Sequence, residues 1–242
     1  MNQLNVSFQF SDKTALVLGG SRGIGCQIVK DFLDAQAKVY YLSRNENTQL
    51  KDLGAQHLRC DVREADKLSK ILQSIEKIDF LINCVAINHC NPIEDITAQE
   101  WDDVFAVNVR SYYIASKAVI SKMKKYGSGK IVNVSSIAGR NKSVVSGLHY
   151  TASKSAIIGF TRQLSYDVSR FGINVNAVCP SQTDTDMLRA SMSEKQLADL
   201  CRTIPIGRVA SLREQSQPVL FLCSDASSYI TGCIVDVNGG QL

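Results

Sequence analysis

The chain has 242 residues, of which 45% are hydrophobic and 21% charged, and its formal net charge is +4. This size and composition suit one large α/β domain with a sizeable core. The mildly basic, unclustered charge argues against a nucleic-acid binder but is compatible with an anionic cofactor or partner. No run approaches the ~20 apolar residues of a membrane span, and residues 1–12 lack the apolar stretch of a secretory signal. We therefore expect a cytoplasmic protein without a membrane segment.

The eight cysteines and three histidines give no sign of a disulfide framework or a metal site. No C-x-x-C pair occurs, and the histidines show no metal-ligand spacing with one another or with the cysteines. Most of the cysteines lie in apolar runs, as small buried side chains do. We therefore expect reduced thiols and no bound metal.

The first strong pattern is a short apolar run, Thr14–Leu18, followed by a glycine-rich turn and an amphipathic helix. Glycines let a backbone approach a pyrophosphate, and a helix N-terminus supplies free N–H groups, so the turn is a candidate cofactor cradle. A tight turn that only packs helix against strand is the alternative. The spacing G-x-x-x-G-x-G also differs from the dinucleotide fingerprint G-x-G-x-x-G. The residues of the turn are Gly19, Gly20, Ser21, Arg22, Gly23, Ile24 and Gly25.

The second predicted strand, Lys38–Leu42, ends at two residues that bear on cofactor choice. In dinucleotide sites a carboxylate at this place binds the 2′-hydroxyl of NAD, whereas an arginine accommodates the 2′-phosphate of NADP. Here the chain has Ser43 and Arg44, with no acidic residue before Glu46. Arg22 in the glycine turn is placed to form the other side of a phosphate clamp. Either arginine alone is more simply a solvated surface charge, but together they favour NADP.

Strands and helices continue to alternate through the first half of the chain. The runs His57–Cys60 and Ile78–Ile82 predict two more strands, separated by a helix with apolar residues at helical spacing. Asp61 and Val62 follow the first of these strands, and Asn83 follows the second. This alternation predicts a parallel sheet with helices on both faces, whose strand ends collect the ligand at one edge.

A long helix is predicted over residues 101–126, because this stretch contains no glycine or proline. Asn108 lies within its apolar pattern, and a buried amide at that position needs hydrogen-bond partners. Lys130–Val134 is the fifth predicted strand. It leads directly into Ser135 and Ser136.

Tyr150 and Lys154 lie in the next predicted helix, which runs to about Phe171. Side chains four residues apart share one face of a helix, one turn apart. A tyrosine titrates near pH ~10 in water, and a fixed ammonium beside it favours the phenolate and lowers its pKa. Such a pair also occurs by chance in helices. Its place downstream of a cofactor turn favours a catalytic pair, since an acid or base works best with a pKa near the working pH.

The rest of the chain continues the alternation. Ile173–Val178 and Ile234–Val237 are the last two predicted strands, and the polar, helix-rich segment 180–204 between them is a candidate substrate lid. No linker, repeat or low-complexity segment divides the chain. The sequence therefore predicts one doubly wound, Rossmann-type α/β domain over residues 1–242, with a parallel sheet of about seven strands. The apolar residues of the lid are Met187, Leu188, Met192, Leu197 and Leu200.

Over essentially its whole length, the sequence resembles the classical short-chain dehydrogenase/reductases. It is most similar to the 3-oxoacyl-acyl-carrier-protein reductases and related carbonyl reductases of that family. The order and spacing of many short motifs carry the resemblance. These motifs are Gly19-x-x-x-Gly23-Ile24-Gly25, Asp61-Val62, Asn83 with Ala86, Asn108, Ser136, Tyr150-x-x-x-Lys154, Pro180, Pro205-Ile206-Gly207-Arg208, Ser224–Gly232 and Val237–Gly240.

The resemblance implies a role for each of four catalytic candidates. Tyr150 would be the acid and base, and Lys154 would lower its pKa and bind the nicotinamide ribose. Ser136 would hydrogen-bond the substrate oxygen, and it matches the family pattern better than Ser135. Asn108 would hold a water that links Lys154 to solvent.

The resemblance also implies NADP(H) as the cofactor and a homo-oligomer, either a tetramer or a dimer. Asp61 and Val62 would flank the adenine, and Thr183 and Thr185 would contact the nicotinamide carboxamide. The helices that carry the catalytic amide and tyrosine form subunit interfaces in the family. Small residues on the tyrosine helix fit this, although close packing on the sheet would explain them as well. The implied cofactor contacts are Gly19, Ser21, Arg22, Gly23, Ile24, Gly25, Ser43, Arg44, Asp61, Val62, Asn83, Ala86, Tyr150, Lys154, Pro180, Thr183 and Thr185.

The sequence leaves the substrate open. The resemblance favours the reduction of a carbonyl to a secondary alcohol, with a 3-oxoacyl thioester, on an acyl carrier protein or not, as the first choice. Lys124, Lys125, Lys130 and Arg170 are a candidate basic patch for such an acidic carrier, and solvated surface charges are the alternative. A sugar, polyol, steroid or other small alcohol or ketone is the alternative substrate.

Departures from the family pattern keep a third hypothesis open. The family's N-N-A-G appears as Asn83-Cys84-Val85-Ala86, and Leu18 stands where threonine is usual. The family's Pro-Gly appears as Pro180-Ser181, and serine would be strained there if the backbone has a positive φ. A degenerate member that serves as a cofactor sensor or structural subunit would fit these changes. The four intact catalytic candidates argue against it.

Overall fold

The computed structural model of the chain describes residues 7–143, 145–185, 188–189 and 192–242. Within these residues seven parallel strands form one sheet in the order β3-β2-β1-β4-β5-β6-β7, which confirms the predicted doubly wound α/β fold. Residues 1–6 of the N-terminal segment and Met187 of the predicted lid lie outside the described residues. The strands are β1 Thr14–Leu18, β2 Lys38–Ser43, β3 Gln56–Arg59, β4 Phe80–Asn83, β5 Gly129–Val134, β6 Ile173–Pro180 and β7 Ile234–Val237.

Helices connect the strands and cover both faces of the sheet. Within the described residues no helix is long and apolar enough to cross a membrane. All eight cysteines are free thiols. The helices are α1 Gly23–Asp34, α2 Thr48–Asp52, α3 Ala65–Ser74, α4 Ala98–Phe105, α5 Ser111–Tyr126, α6 Leu148–Val168, α7 Glu194–Arg202 and α8 Leu212–Cys223.

Strand β1, which has a neighbouring strand on each side, shows why its sequence is a continuous apolar run. Ala15 and Val17 pack into the core on the side of α1 and α8, whereas Leu16 and Leu18 pack into the core on the side of α3 and α5. Alternate residues of a strand point to opposite faces, so a sheet covered on both sides needs apolar residues at every position. Full burial of one such leucine contributes about 1.5–3 kcal/mol of transfer free energy.

The helix predicted over residues 101–126 is interrupted. A π turn, Ala106–Arg110, joins α4 to α5. The Ser111 N–H donates to the Ala106 carbonyl, five residues back, and the Ser111 hydroxyl donates to the Val107 carbonyl at 2.6 Å. No glycine or proline signals this turn, which is why the sequence pattern indicated one continuous helix. Single π turns within helices often mark functional sites, and this one contains Asn108.

Because all strands are parallel, their carboxyl ends lie along one edge of the sheet. The glycine turn follows β1 at this edge, and Ser136 follows β5 there. Strand β6 ends at Pro180, the start of the predicted lid. The fold therefore gathers the predicted site residues along one edge, as the sequence indicated.

Candidate active site

The glycine turn after β1 brings backbone atoms together where no side chain fits. Gly19 has a φ of +82°, and a Cβ built on it would lie 2.7 Å from the Val85 Cα. A Cβ on Gly25 would collide with the Gly19 carbonyl oxygen. Helix α1 starts at Gly23 with no acidic residue in its first turn, and Arg22 at the N-cap leaves the first N–H groups uncapped. The turn therefore offers a close backbone approach and free N–H groups, as a pyrophosphate cradle requires.

Arg22 and Arg44, the predicted phosphate clamp, are both exposed and form no ion pair with the part of the chain that the structure describes. Asn47 connects the segments that carry them, because its Nδ2 donates to the Ser21 carbonyl at 2.9 Å. The Asn47 Oδ1 also accepts from the Leu50 N–H at 3.1 Å and caps α2. Sequence reasoning missed Asn47, although asparagine before a short helical pattern is a recognised start signal.

Ser43 and Asp61 lie near Arg44, but each already uses part of its hydrogen-bonding capacity within the protein. The Ser43 hydroxyl donates to the Asn45 carbonyl at 2.7 Å. The Asp61 carboxylate binds the Arg63 guanidinium at 2.7 Å, and this pairing holds the pKa of Asp61 below its ordinary value. The charge of Arg44 lowers that pKa further, which places Arg44 near Asp61. The structure thus brings Ser43, Arg44 and Asp61 to one corner of the cleft.

The Asn83 side chain points into the protein instead of the cleft. It is 0% exposed, and its Nδ2 donates to the Asn133 Oδ1 at 2.8 Å. Asn133 in turn donates to the Thr161 hydroxyl at 3.0 Å. These buried hydrogen bonds connect β4 and β5 to α6. Because they occupy the Asn83 side chain, a contact of Asn83 with the cofactor would be made by its backbone. Val62 is buried in the core on the side of α3 and α5, whereas Ala86 is half-buried.

Ser136 and Tyr150 lie close together. The Ser136 side chain is near enough to the Tyr150 hydroxyl to lower the pKa of that tyrosine. The Ser136 oxygen also accepts from the Ala138 N–H at 3.1 Å, which fixes the position of the hydroxyl. Ser135 is instead buried and donates to the Lys154 carbonyl at 2.8 Å. Of the two neighbouring serines, Ser136 is therefore the one beside the tyrosine.

Lys154 lies one helical turn beyond Tyr150, but its ammonium is bound to a backbone carbonyl. The residue is 1% exposed, and its Nζ donates to the Val134 carbonyl at 2.8 Å. Burial lowers the pKa of Lys154 to about 8. Burial also raises the pKa of Tyr150 to about 12, and the nearby Ser136 side chain only partly offsets this. The ammonium of Lys154 binds a backbone carbonyl here and desolvation sets the direction of the Tyr150 shift, so the lowering of the Tyr150 pKa by Lys154 stays a prediction.

Asn108 is fully buried and has the hydrogen-bond partners that its burial requires. Its Oδ1 accepts from the Ile87 N–H at 2.9 Å, and its Nδ2 donates to the Ile87 carbonyl and the Ser153 hydroxyl, each at 3.0 Å. The amide therefore ties the segment after β4 to α6. Both N–H groups of this amide are used within the protein, and the water that the resemblance assigns to Asn108 stays a prediction.

The segment after β6 begins without strain. Ser181, where the family has glycine, does not have a positive φ, so the serine adopts this turn freely. The Thr183 hydroxyl donates to the Ser181 carbonyl at 2.9 Å, and Thr183 is buried. The Thr185 side-chain oxygen accepts a backbone N–H, and Thr185 is more exposed than Thr183. The predicted carboxamide contacts thus follow Pro180 directly, with no distortion of the turn.

Sequence reasoning missed a second tyrosine in the catalytic centre. Tyr112 is 0% exposed, and its hydroxyl donates to the carbonyls of Val85 and Val134 at 3.1 and 3.2 Å. The Nζ of Lys154 lies 5.6 Å from the centroid of its ring. The position of Tyr112, four residues after Asn108 in a helical pattern, is the signal that places it on the same side as the amide.

Comparison with known proteins shows the family. A family model described as enoyl-(acyl carrier protein) reductase matches residues 19–241. The chain is 33% identical over 237 residues to dehydrogenase/reductase SDR family member 6 of Aquarana catesbeiana, covering 94% of this chain and 96% of the relative. This chain belongs to the short-chain dehydrogenase/reductase family. It is also 35% identical over 241 residues to 3-oxoacyl-[acyl-carrier-protein] reductase FabG of Salmonella typhimurium, covering 96% and 98% of the two chains.

Solved structures of relatives share the fold closely and differ in their cofactor. A 3-oxoacyl-[acyl-carrier protein] reductase of Brucella melitensis with bound NAD matches at a TM-score of 0.90 and 28% identity, covering 100% of this chain and 98% of that one. A putative NAD(P)-dependent gluconate 5-dehydrogenase of Beutenbergia cavernae with bound NADP also matches at 0.90 and 28%, covering 98% and 99%. A nicotinamide cofactor is thus a property of the family, and the comparison leaves the choice between NAD and NADP open.

Proposed function

We propose that the protein is an NADPH-dependent carbonyl reductase that converts a ketone to a secondary alcohol. The observation that carries the proposal is the pair Ser136 and Tyr150 beside the buried Lys154, at the same sheet edge as an uncovered glycine turn. Family membership supports an oxidoreductase. The departures at Cys84–Ala86 and Ser181 remove none of these side chains and add no backbone strain at Ser181.

The residues at the sheet edge fit a dinucleotide. A Cβ at Gly19 would collide with the Val85 backbone, whereas a Cβ at Gly23 would meet nothing within 4 Å, so the turn is packed on one side and open at the start of α1. We assign the 2′-phosphate of NADPH to Arg22 and Arg44, since both are exposed and unpaired among the described residues and no carboxylate ends β2. Lys154 and the threonines after Pro180 are assigned to the nicotinamide half. When bound, the cofactor supplies the hydride.

Ser136 and Tyr150 act on the substrate oxygen. Both hydroxyls are donors that stand in place before the reaction, so they stabilise negative charge as it develops on that oxygen. A pKa of about 12 keeps Tyr150 protonated at neutral pH, and it can therefore give its proton to the forming alkoxide. Lys154, with a pKa of about 8, is charged at neutral pH and stabilises the tyrosinate that this transfer leaves. Asn108 holds α6 in register for both residues.

We assign a 3-oxoacyl thioester as the first substrate class. The support is the 35% identity to a 3-oxoacyl-[acyl-carrier-protein] reductase over nearly the whole of both chains. The likeness to a putative gluconate 5-dehydrogenase makes a sugar acid or polyol the second class. A cytoplasmic location stays a prediction from the sequence.

The basic patch predicted for an acidic carrier protein lies at the opposite edge of the sheet. Lys130 stands near the start of β5, Arg170 shortly before β6, and Lys124 near the end of α5. The Tyr150 site lies at the carboxyl ends of the same strands. Lys130 is also engaged, since its Nζ donates to the Asn174 Oδ1 at 2.9 Å. Within one chain the patch does not border the catalytic cleft, and we do not assign it to a carrier docked there.

We also propose that the chain forms a homo-oligomer, a tetramer or a dimer, through α5 and α6. The small residues of α6 do not pack on the sheet along their whole face, because a Cβ at Gly159 would meet open space. A hollow of about 230 Å³ lies beside them, lined by Tyr113, Phe160 and Leu164 among others. Light scattering after gel filtration tests this assembly, and a monomer at micromolar concentration would contradict it.

The experiment that tests the function is NADPH oxidation with acetoacetyl-CoA, measured beside NADH. We expect turnover with NADPH and a lower kcat/KM with NADH. NADPH binding by fluorescence without turnover would exclude the thioester and direct the assay to sugar acids, polyols and small ketones. Absence of NADPH binding would contradict the enzyme proposal and favour a degenerate family member.

A further inference from the structure

Tyr112 is a buried titratable residue that the proposed mechanism leaves unused. It stands in the first turn of α5, directly after the π turn, and its hydroxyl joins two backbone carbonyls. One belongs to Val134, the last residue of β5, and the other to Val85, just after β4. The hydroxyl therefore bridges the ends of two neighbouring strands beneath the catalytic centre.

Tyr112 shares one of these carbonyls with Lys154. The Val134 oxygen accepts the Lys154 Nζ at 2.8 Å and the Tyr112 hydroxyl at 3.2 Å. The ring of Tyr112 also faces the ammonium, with 5.6 Å from Nζ to the ring centroid. An aromatic face attracts a cation at this range, and the attraction is stronger where water is excluded. Tyr112 thus acts on the ammonium in two ways, by holding the Val134 carbonyl that accepts it and by facing it with the ring.

Tyr112 also holds the segment that departs from the family pattern. Val85 follows Cys84 in that segment, and its backbone packs against Gly19 of the glycine turn. The Tyr112 hydroxyl binds the Val85 carbonyl at 3.1 Å, while the Asn108 amide binds both backbone groups of Ile87. The altered segment is therefore anchored between these two side chains and the glycine turn.

We propose that Tyr112 is a positioning residue for Lys154, which it holds in place through the Val134 carbonyl and its ring face. The inference rests on the role assigned to Lys154 in the proposed function. Tyr112 is not a second proton donor to substrate, because its hydroxyl proton is directed at backbone carbonyls. Burial also raises its pKa well above the ordinary value, so the hydroxyl stays protonated and remains a donor.

The first test compares Tyr112→Phe with Tyr126→Phe. The first change removes one buried hydroxyl and keeps the ring, and the second removes a hydroxyl from the last residue of the same helix, which is 46% exposed. In single turnovers with excess enzyme, we expect Tyr112→Phe to slow reduction about tenfold, because two buried carbonyls lose a donor and the ammonium is less well fixed. Tyr126→Phe should retain the wild-type rate.

Binding of 2′,5′-ADP separates positioning from general damage to the fold. This fragment occupies the nucleotide end and does not reach Lys154, so Tyr112→Phe should bind it with wild-type affinity. Loss of 2′,5′-ADP affinity in parallel with the rate would show a general structural role and overturn the proposal. An unchanged single-turnover rate would overturn it as well.

A double-mutant cycle tests whether Tyr112 acts through Lys154. If it does, Tyr112→Phe should cause little further loss when added to Lys154→Arg, because residues that act as a unit are not additive. Losses that multiply would show that Tyr112 acts independently and would contradict the inference. Wild-type turnover by Lys154→Arg alone would contradict the role of Lys154 in the proposed function. Because the Tyr112 inference rests on that role, this result would overturn the inference as well.

Discussion

The two ends of the cleft are built in opposite ways. At the nucleotide end, the glycine turn offers backbone N–H groups, and Arg22 and Arg44 stand exposed in solvent. At the catalytic end, Lys154 and Tyr112 are withdrawn from solvent, and their polar groups are bound to backbone carbonyls. The exposed nucleotide end is suited to attract an anionic ligand from solution. The buried catalytic end is suited to hold and transfer protons out of contact with water.

This difference decides which changes matter at each end. Exposed charges are screened by salt, and each contributes modestly to binding. Cofactor affinity at the nucleotide end should therefore depend mainly on the sign of the charges there. In a buried centre, desolvation and single hydrogen bonds dominate, as the raised pKa of Tyr150 and the lowered pKa of Lys154 show. The reaction rate should therefore fall when one hydroxyl at the catalytic end is removed, even if the replacement side chain keeps its shape.

The largest effect is expected from Tyr150→Phe. The change keeps the ring and removes the proton donor, and general acid catalysis contributes about 10²–10⁴-fold, so we expect turnover to fall by about three orders of magnitude. NADPH affinity should be retained, because the nucleotide end is untouched. Tyr166→Phe is the matched control, since Tyr166 lies on the same helix and is 82% exposed. Turnover near the wild-type value in Tyr150→Phe would refute the catalytic assignment.

The next largest effect is expected from Arg44→Asp, measured as dissociation constants by calorimetry. Loss of a charge-assisted hydrogen bond and gain of repulsion should weaken NADPH binding by roughly 30- to 100-fold. NADH, which lacks the 2′-phosphate, should lose little affinity. Lys38→Asp makes the same charge change at the other end of β2 and should alter neither constant. Equal weakening of both cofactors by Arg44→Asp would contradict the phosphate clamp.

Local patterns in the sequence predicted the fold and the location of the site well. The apolar runs predicted all seven strands, because a sheet covered on both faces requires them. Alternation with helices predicted a parallel sheet, in which the carboxyl ends of the strands meet at one edge. The serine beside Tyr150 was also predicted, and the structure chooses Ser136 over Ser135.

The sequence could not predict what the buried side chains bind. Lys154 donates to the carbonyl of Val134, a residue on another element, and no local spacing encodes such a contact. The π turn at Asn108 arises within a stretch of ordinary helix formers. The pKa of Tyr150 depends on the amount of water excluded around it, which only the folded chain defines. The i, i+4 rule paired Tyr150 with Lys154 on one helix face but did not reveal where the ammonium points.

The pH dependence of the reaction sharpens the comparison between the two ends. Because burial lowers the pKa of Lys154 to about 8, its ammonium is present below that pH and is lost above it. The rate constant for reduction should therefore fall above pH 8, approaching about tenfold per pH unit, while Tyr150 remains protonated up to about 12. Affinity for 2′,5′-ADP should stay constant over the same range, since arginines remain charged. A rate that stays flat to pH 10 would contradict the assignment of Lys154.

The smallest effect is expected from Asn47→Ser. Serine is as good a helix N-cap as asparagine, so α2 should keep its start, but its shorter side chain does not reach the Ser21 carbonyl that Asn47 now binds at 2.9 Å. The segments that carry Arg22 and Arg44 would then lose one connection. We expect a loss of about three- to fivefold in 2′,5′-ADP affinity, corresponding to one neutral hydrogen bond. The affinity for 5′-AMP should not change.

Asn45→Ser, the same change two residues away in an exposed part of the same turn, is the control for Asn47→Ser. It should leave the affinities for both fragments unchanged. If Asn47→Ser weakens 5′-AMP and 2′,5′-ADP equally, the residue supports the whole turn and not the spacing of the two arginines. The nucleotide end would then depend on buried polar contacts as the catalytic end does, and the contrast between the two ends would be one of charge alone.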